Sequence, residues 1–135
     1  MFFKQEHKCE PCSRNCVIRS THTFTNFEGK TFNVKNYINC TTANVVYALF
    51  CDKFIYVGET RDTLYQRHFS NVSLIRRQKP DLIAIHFNST EHSVNDYEIM
   101  ALEKICGDNS YRETIEKLRM NKLRTFNPHG LNTKT

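Results

Sequence analysis

Two short β-prone runs, residues 44–50 and 54–58, constrain the fold of this 135-residue chain more than any other feature. They are separated only by Cys51-Asp52-Lys53, a connection of the length found in β-hairpins. Each run contains a tyrosine, Tyr47 in the first and Tyr56 in the second. The pattern therefore predicts a hairpin in the middle of the chain with one tyrosine on each strand.

A helix is expected directly after this hairpin. Asp62 is a suitable N-cap residue, and Pro80 disfavours helical geometry at Lys79, so we place the helix between them. On the surface of this helix, Arg67 lies beside Leu64 rather than among the exposed charges. The apolar stripe predicted to face the core consists of residues at i, i+4 and i+7: Tyr65, Phe69 and Val72.

The remaining C-terminal half contains one ambiguous segment, one strand and one helix. Residues 81–87 suit either a buried strand or a helix that begins after Pro80. Alternating apolar residues over 97–105 predict a strand. A last helix follows residues 107–110 and ends before the turn residues 127–130, with its predicted apolar stripe at Tyr111, Ile115 and Leu118.

The N-terminal residues differ in composition from the rest of the chain. Residues 1–20 have few large apolar side chains, and residues 22–38 have the pattern of a second hairpin around a Glu28-Gly29 turn. We therefore expect an extension with a hairpin over residues 1–40 and the main domain over residues 41–135.

Three closely spaced cysteines in the extension, Cys9, Cys12 and Cys16, indicate a structural zinc site. Zinc prefers four nitrogen or sulfur ligands, and the fourth is Cys40, His22 or His7, with Cys40 preferred. The alternative is three unconnected thiols. Cys51 and Cys106 are expected to be small buried hydrophobic residues.

Composition excludes some classes of protein. The apolar fraction of 39% and the charged fraction of 24% are typical of a soluble globular domain. No apolar run approaches the roughly 20 residues that span a bilayer, and the N-terminus lacks a secretory signal pattern, so we expect an intracellular protein with reduced thiols. The net charge of +5 permits a polyanionic partner without demanding one.

The order of the motifs resembles the GIY-YIG nuclease superfamily. That family has a first tyrosine ending a three-residue motif, a Tyr-x-Gly about ten residues later, an arginine on the next helix and a glutamate on a later helix. Here the corresponding residues are Tyr47, Tyr56 with Gly58, Arg67 and Glu116. The longer series is similar to the endonuclease of Penelope-like retroelements and covers roughly residues 22–132. It includes Asn39-Cys40-Thr41-Thr42-Ala43-Asn44-Val45-Val46-Tyr47, Tyr56-Val57-Gly58-Glu59-Thr60, the Arg112/Glu116 pair and Leu123-Arg124-Thr125-Phe126-Asn127-Pro128-His129-Gly130-Leu131-Asn132.

This resemblance implies an α/β fold, with a small, mainly antiparallel three-stranded sheet flanked by helices. It also implies a role for each matching residue. Glu116 is expected to hold Mg²⁺ or Mn²⁺, ions that prefer oxygen ligands. Arg67 is expected to contact the scissile phosphate, Tyr47 to accept a proton from water, and Tyr56 to orient phosphate or water. Because a phenol has a reference pKa near 10, the role of Tyr47 requires nearby positive charge.

Further residues are expected to support the site. Gly58 would let backbone pack closely at the strand end, and Asn132 matches a supporting residue in the tail of relatives. Relatives usually place His or Tyr four residues after the arginine, whereas this chain has Asn71 there and His68 next to Arg67. The internal zinc finger of Penelope-type enzymes is expected to be lost, since Phe54 and Asn71 replace two of its ligands.

Taken singly, each matching residue has an ordinary structural explanation. Tyr47 and Tyr56 could be ordinary aromatic residues of strands, and Arg67 could lie on a solvated helix surface. Arg112 and Glu116 could form an i, i+4 ion pair, although such pairs are weaker when the basic residue precedes the acidic one. Only the ordered series of all these residues favours catalysis. We interpret His86 and His92 as structural. The last basic cluster consists of Arg76, Arg77 and Lys79. It is either a solvated helix end or a contact to DNA phosphates.

The function predicted from these patterns is a metal-dependent DNA endonuclease that nicks one strand, as in target-site nicking by a retroelement. Its partners would be DNA and a reverse transcriptase, fused or separate, with no membrane, and it would be nuclear in a eukaryotic retroelement. The alternatives are a catalytically decayed nucleic-acid-binding module of the same fold, an RNA-directed relative, and a repair- or phage-like structure-specific nuclease.

Overall fold

A computed structural model describes residues 7–9, 14–16, 23–33, 41–51, 54–89 and 97–133 of the chain. Two short antiparallel pairs come first, β1 (His7–Cys9) with β2 (Arg14–Cys16), and β3 (Thr23–Thr25) with β4 (Thr31–Asn33). The main elements are β5 (Ala43–Cys51), β6 (Phe54–Thr63), α1 (Leu64–Arg76), α2 (Leu82–Phe87), β7 (Tyr97–Lys104) and α3 (Asn109–Leu123). Within these ranges, no helix is long and apolar enough to cross a membrane.

The centre of the fold is a three-stranded antiparallel sheet in the order β6-β5-β7. The predicted hairpin is therefore β5-β6, and β5 pairs on its other side with β7. Every residue of β5 from Val45 to Cys51 is buried. A strand that is covered on both faces has a continuous run of apolar residues rather than an alternating pattern, and this explains the sequence of β5.

The two faces of the sheet belong to different hydrophobic clusters. Val45, Tyr47, Leu49 and Cys51 pack with residues of α1 and α2, including Leu64, Ile75, Ile83 and Phe87. Val46, Ala48 and Phe50 pack on the other side with Phe24 of β3 and Leu123 of α3. The fold is thus a sheet between one layer formed by α1 and α2 and another formed by α3 with the β3-β4 hairpin.

Helix α1 begins one residue later than the sequence predicts, because β6 continues to Thr63. Thr63 is the N-cap and forms a capping box with Gln66, so the prediction of Asp62 was wrong. The helix ends at Arg76, before Lys79. Its predicted apolar stripe was wrong at Phe69, which is 64% exposed, whereas Val72 packs against the core. The buried residues of the helix are Leu64 and Ile75 together with two polar residues, His68 and Asn71.

The ambiguous segment 81–87 forms helix α2, not a strand. The Asp81 side chain caps it by accepting hydrogen bonds from the backbone N–H groups of Ile83 and Ala84. The strand predicted from alternation over 97–105 is confirmed as β7. Its Tyr97 side chain is fully buried beside Phe87 of α2, so the two elements share one core cluster.

Helix α3 has the position expected of the last helix, with Asp108 as N-cap. Its predicted stripe was wrong at two of three positions, because Tyr111 is 50% exposed and Leu118 is 59% exposed. The buried residues of the helix are Arg112 and Leu123. The helix therefore packs against the sheet through a face that begins with a charged side chain, which hydrophobic periodicity does not detect.

Candidate active site

Tyr47 and Gly58 face each other across the β5-β6 hairpin. A Cβ atom added to Gly58 would lie 2.5 Å from Tyr47 Oη and 2.9 Å from Tyr56 Cε1, so only glycine leaves room for both rings. The sequence predicted that Gly58 permits close backbone packing at a strand end. That explanation was wrong, because Gly58 lies within β6 and the space is filled by the tyrosine side chains.

Tyr47 lies in a buried, weakly polar environment. Its side chain is only 4% exposed, and the Asn71 amide lies near its hydroxyl. Burial raises the pKa of Tyr47 far above its ordinary value, and nearby Tyr56 and Tyr97 raise it further, whereas Arg67 and Asn71 lower it. In the protein alone Tyr47 is therefore a neutral phenol, and proton acceptance needs more positive charge than Arg67 supplies.

Tyr56 is half-buried on the same face of the sheet. Burial is the main cause that raises its pKa, followed by the charges of Glu116 and Asp81, while the charge of Arg67 lowers it. Tyr56 is thus close enough to Arg67 on α1 and to Glu116 on α3 to be influenced by both charges.

Arg67 lies in the first turns of α1 and is half-buried. Its Nη2 donates a long hydrogen bond of 3.5 Å to Thr60 Oγ1. Its Nε is buried, and among the described residues it has no hydrogen-bond partner. A buried guanidinium with an unused donor is suited to bind an anion, because the planar group forms two parallel hydrogen bonds to carboxylate or phosphate oxygens.

Glu116 lies on α3 and is half-buried. Burial raises its pKa to about 7, and the charges of Glu59 and Glu113 contribute in the same direction. In the described part of the chain, it forms no hydrogen bond or ion pair that compensates its charge. A desolvated carboxylate among other carboxylates is a site where a divalent cation relieves charge repulsion, so Glu116 fits the metal role that the resemblance implies.

That site would have fewer than three protein ligands among the described residues. Over the described ranges, no three His, Cys, Asp or Glu side chains come together in an arrangement that could hold a metal ion. Mg²⁺ commonly keeps several waters and binds through one or two carboxylates together with substrate phosphates. The arrangement around Glu116 is compatible with this open type of coordination.

Arg112 is 5% exposed and joins three parts of the fold. Its Nε donates to Glu59 Oε2 on β6, Nη1 donates to Asn44 Oδ1 at 3.3 Å, and Nη2 donates to Asn109 Oδ1 at 2.7 Å. The expected alternative of an Arg112–Glu116 ion pair was therefore wrong, because the partner of Arg112 is Glu59. Sequence reasoning missed this hydrogen-bond network, although Glu59 directly follows Gly58 of the Tyr-x-Gly motif.

His68 and Asn71 lie on the buried face of α1, next to Tyr97 of β7. Asn71 Nδ2 donates to Tyr97 Oη at 3.4 Å, and the rings of His68 and Tyr97 are 5.3 Å apart. Asn71 thus lies near two phenols, those of Tyr47 and Tyr97. Sequence reasoning missed Tyr97, and the signal for it was the alternation that placed it on the inward face of β7.

Asn132 supports β6 from the C-terminal tail. Its Oδ1 accepts hydrogen bonds from Val57 N at 2.8 Å and from Thr125 Oγ1 at 2.7 Å, and its Nδ2 donates to Val57 O at 3.0 Å. Leu131 N also donates to Ile55 O. Since β6 is an edge strand, the tail satisfies backbone groups next to Gly58 and Tyr56 that would otherwise face solvent.

The other predicted site residues lie elsewhere. Arg76, Arg77 and Lys79 are exposed at the C-terminal end of α1, and Arg76 is about 14 Å along the helix axis from Arg67. The side chains of Cys9, Cys12, Cys16 and Cys40 are outside the described residues, as are His7, His22 and His92. Cys51 is buried as expected, whereas Cys106 is exposed, so that prediction was wrong.

Among solved structures, the chain is similar to the catalytic domain of the homing endonuclease I-TevI, with a TM-score of 0.57 and 17% sequence identity. The similarity covers 68% of this chain and 99% of that domain. No protein-family model matches the sequence, and no curated protein matches it. The expected fold is confirmed: the chain has a three-stranded antiparallel sheet flanked by helices in the GIY-YIG arrangement.

Proposed function

We propose that this chain is a DNA endonuclease of the GIY-YIG type, which hydrolyses a phosphodiester bond with one divalent cation. The observation that carries the proposal is the convergence of Tyr47, Tyr56, Arg67 and Glu116 in one neighbourhood of the fold. Two phenols, a cation with an unused donor and an uncompensated carboxylate are the groups that phosphodiester hydrolysis requires.

Arg67 is proposed to bind the scissile phosphate. Its buried Nε has no partner among the described residues, and the long contact to Thr60 is readily exchanged for a phosphate oxygen. In the transition state, negative charge grows on the non-bridging oxygens and the leaving oxygen. A fixed guanidinium stabilises that charge more strongly in a partly buried site than in water.

Glu116 is proposed to hold Mg²⁺ or Mn²⁺. When bound, such an ion supplies positive charge to the phosphate and to the departing oxygen. The uncompensated charge of Glu116 and the repulsion from Glu59 and Glu113 support this assignment. Glu59 is already paired with Arg112 and Glu113 is exposed, so we assign the ion to half-buried Glu116.

Tyr47 and Tyr56 are proposed to position the attacking water and the phosphate. As a neutral phenol, Tyr47 orients water through a lone pair on Oη. It becomes a proton acceptor only when added positive charge lowers its pKa, which burial raises. Tyr56, close to both Arg67 and Glu116, is suited to donate a hydrogen bond to a phosphate oxygen.

We further propose that the enzyme nicks one strand per encounter and acts in a retroelement of the Penelope-like type. There, the nick would prime a reverse transcriptase, fused or separate, in the nucleus of the host cell. One matching glutamate, one arginine and one tyrosine pair support a single active site. The alternative of a decayed binding module rests on Asn71, yet the Asn71 amide lies close enough to Tyr47 to lower the pKa of its hydroxyl.

A plasmid-nicking assay tests the proposal. Supercoiled DNA should convert to open-circular DNA in Mg²⁺ or Mn²⁺ but not in EDTA, and open circles should accumulate before linear DNA. Glu116→Ala should abolish nicking, whereas Glu113→Ala, an exposed glutamate on the same helix, should retain it. Nicking in EDTA or by Glu116→Ala would contradict the assignment.

A separate proposal concerns the cysteines of the N-terminal extension. We propose that Cys9, Cys12 and Cys16 bind one structural zinc ion, with Cys40 as the fourth ligand. Their spacing in the sequence supports this. Protein purified without chelator should contain one zinc per chain by elemental analysis, and the absence of zinc would count against the site.

A further inference from the structure

Thr60 of strand β6 lies on the same face of the sheet as Tyr56 and Gly58, because alternate residues of a strand point to one side. The register with β5 is regular over this stretch, with Tyr47 opposite Gly58 and Val45 opposite Thr60. Thr60 is 3% exposed. Its side chain is therefore buried on the face that carries both site tyrosines, about 7 Å along the strand from Gly58.

The hydroxyl oxygen of Thr60 accepts two hydrogen bonds. Asp62 N donates to Oγ1 at 3.1 Å, and Arg67 Nη2 donates to it at 3.5 Å. A hydroxyl has two acceptor lone pairs and one donor proton, and both partners are N–H groups that cannot accept this proton. Among the described residues, the Thr60 O–H therefore has no acceptor. A buried donor without an acceptor costs free energy until an acceptor reaches it.

A second unused donor lies beside this hydroxyl. Arg67 Nε is buried and has no hydrogen-bond partner within the described part of the chain. Nε and Nη2 share one edge of the guanidinium, and Nη2 is the atom that contacts Thr60 Oγ1. The O–H of Thr60 and the Nε–H of Arg67 are thus neighbouring donors next to a positive charge. An anion with two or more oxygens is the ligand that satisfies both of them.

We propose that Thr60 is a further phosphate-binding residue of the site, and that its hydroxyl donates to a non-bridging oxygen of the phosphate held by Arg67. The inference rests on the proposed nuclease function. When the phosphate takes over the Nη2 donor, the Thr60 oxygen keeps its hydrogen bond from Asp62 N and directs its proton to the phosphate. Two donors from different elements, β6 and α1, then orient the phosphate more closely than Arg67 alone.

Two substitutions separate the hydroxyl of Thr60 from its methyl group. Thr60→Val keeps the branched shape and loses the donor, so single-turnover nicking should fall by between about tenfold and 100-fold, the effect of a lost hydrogen bond to a charged group. Thr60→Ser keeps the hydroxyl and should stay within about threefold of the full rate. Thr25→Val, at an exposed position of strand β3, is the matched control and should nick at the full rate. Equal losses in Thr60→Val and Thr60→Ser would overturn the inference, since packing of the methyl group would then explain them.

Sulfur substitution at the mapped cleavage position tests the contact itself. Each of the two phosphorothioate diastereomers replaces one non-bridging oxygen by sulfur, which is the weaker hydrogen-bond acceptor. The diastereomer whose sulfur meets Thr60 should be nicked more slowly than the normal substrate, and Thr60→Val should remove most of this difference. Sulfur effects of the same size in the unsubstituted protein and in Thr60→Val, for both diastereomers, would contradict a contact between Thr60 and the phosphate.

A binding measurement does not depend on nicking. Inorganic phosphate should perturb the NMR signal of the Arg67 Nε–H, and its affinity should be at least about threefold weaker in Thr60→Val than in the unsubstituted protein or in Thr60→Ser. No perturbation of Arg67, or equal affinity in all three proteins, would overturn the inference. If the unsubstituted protein binds phosphate in this way but does not nick DNA, the proposed function fails, whereas the phosphate site formed by Thr60 and Arg67 is supported.

Discussion

The buried guanidinium of Arg112 binds the carboxylate of Glu59 and so joins helix α3 to strand β6. Its two other donors, to Asn44 and Asn109, fix the guanidinium on both sides. Glu116 lies one helical turn further along α3, where its charge reaches Tyr56. The Arg112–Glu59 pair therefore holds α3 against β6, the strand that carries Tyr56, near the turn that carries Glu116.

Glu59→Ala should destabilise the fold by about 3 kcal/mol, because it leaves the buried charge of Arg112 without its anion. The pair Arg119–Glu103, which is more exposed than Arg112–Glu59, joins the same helix to β7 and provides the control. Glu103→Ala should lower the free energy of unfolding by only about 0.5 kcal/mol. Urea denaturation measures both. Equal effects of the two substitutions would show that the Arg112 network does not hold α3.

Gly58→Ala should disturb the site directly, since the added Cβ would lie 2.5 Å from Tyr47 Oη. We expect a loss of stability of about 2 kcal/mol from overpacking and a large loss of nicking. Gly107→Ala is the control, because its Cβ would meet only the exposed ring of Tyr111, which is able to move. Combining Gly58→Ala with Tyr47→Ala should cost less stability than the sum of the two single losses, because the added methyl group then enters space that the Tyr47 ring has left. Strictly additive losses would mean that Tyr47 does not occupy the space at Gly58.

Asn132→Ala should release the C-terminal tail from β6. The variant loses three hydrogen bonds and leaves Val57 N–H and C=O without partners at the strand edge, so we expect a loss of about 2 to 3 kcal/mol. Amide exchange at Val57 should accelerate more than exchange at Ala48, on the central strand. Asn121→Ala, an exposed residue of α3, should leave the exchange at Val57 as it was.

Glu116 should make the metal-free protein less stable as the pH rises. Its pKa is raised from 4.5 to about 7 in the folded chain, so folding favours the protonated carboxyl. That stabilisation is complete below the ordinary pKa and is lost as the pH rises through the folded pKa. Glu116→Gln should therefore be more stable than the unsubstituted protein at about pH 8 in EDTA, and this advantage should shrink toward about pH 4.5. An advantage independent of pH, or one equally large for exposed Glu113→Gln, would exclude a raised pKa at Glu116.

The sequence predicts the sheet well, because its strands have local signals. The dense apolar run of β5 follows from its burial on both faces. The alternation that predicted β7 reflects only its Tyr97 and Ile99 face, since Met100 and Leu102 are buried on the other face. Helices α1 and α3 were located correctly, whereas residues 81–87 had been left open between strand and helix. The buried faces of α1 and α3 were predicted only in part, because His68, Asn71 and Arg112 occupy core-facing positions where hydrophobic periodicity expects apolar residues.

The contacts within the site could not be predicted from the sequence alone. Arg112 and Glu59 are 53 residues apart, and Asn132 and Val57 are 75 residues apart, so no local pattern links them. The family resemblance identified Tyr47, Tyr56, Arg67 and Glu116 by their order. It did not identify Tyr97 or the carboxylate of Glu59, whose importance depends on which side chains the fold brings against them.

The central claim is that the Tyr47 and Arg67 side chains act on the transition state of phosphodiester hydrolysis. The most direct test is single-turnover nicking at saturating enzyme, with DNA affinity measured separately. Tyr47→Phe and Arg67→Ala should each lower the nicking rate by at least about 100-fold and change the Kd by less than about threefold. The controls Tyr65→Phe and Arg61→Ala, on neighbouring positions of α1 and β6, should retain the rate. Full nicking rates in the two site variants, or losses explained entirely by weaker DNA binding, would contradict the claim.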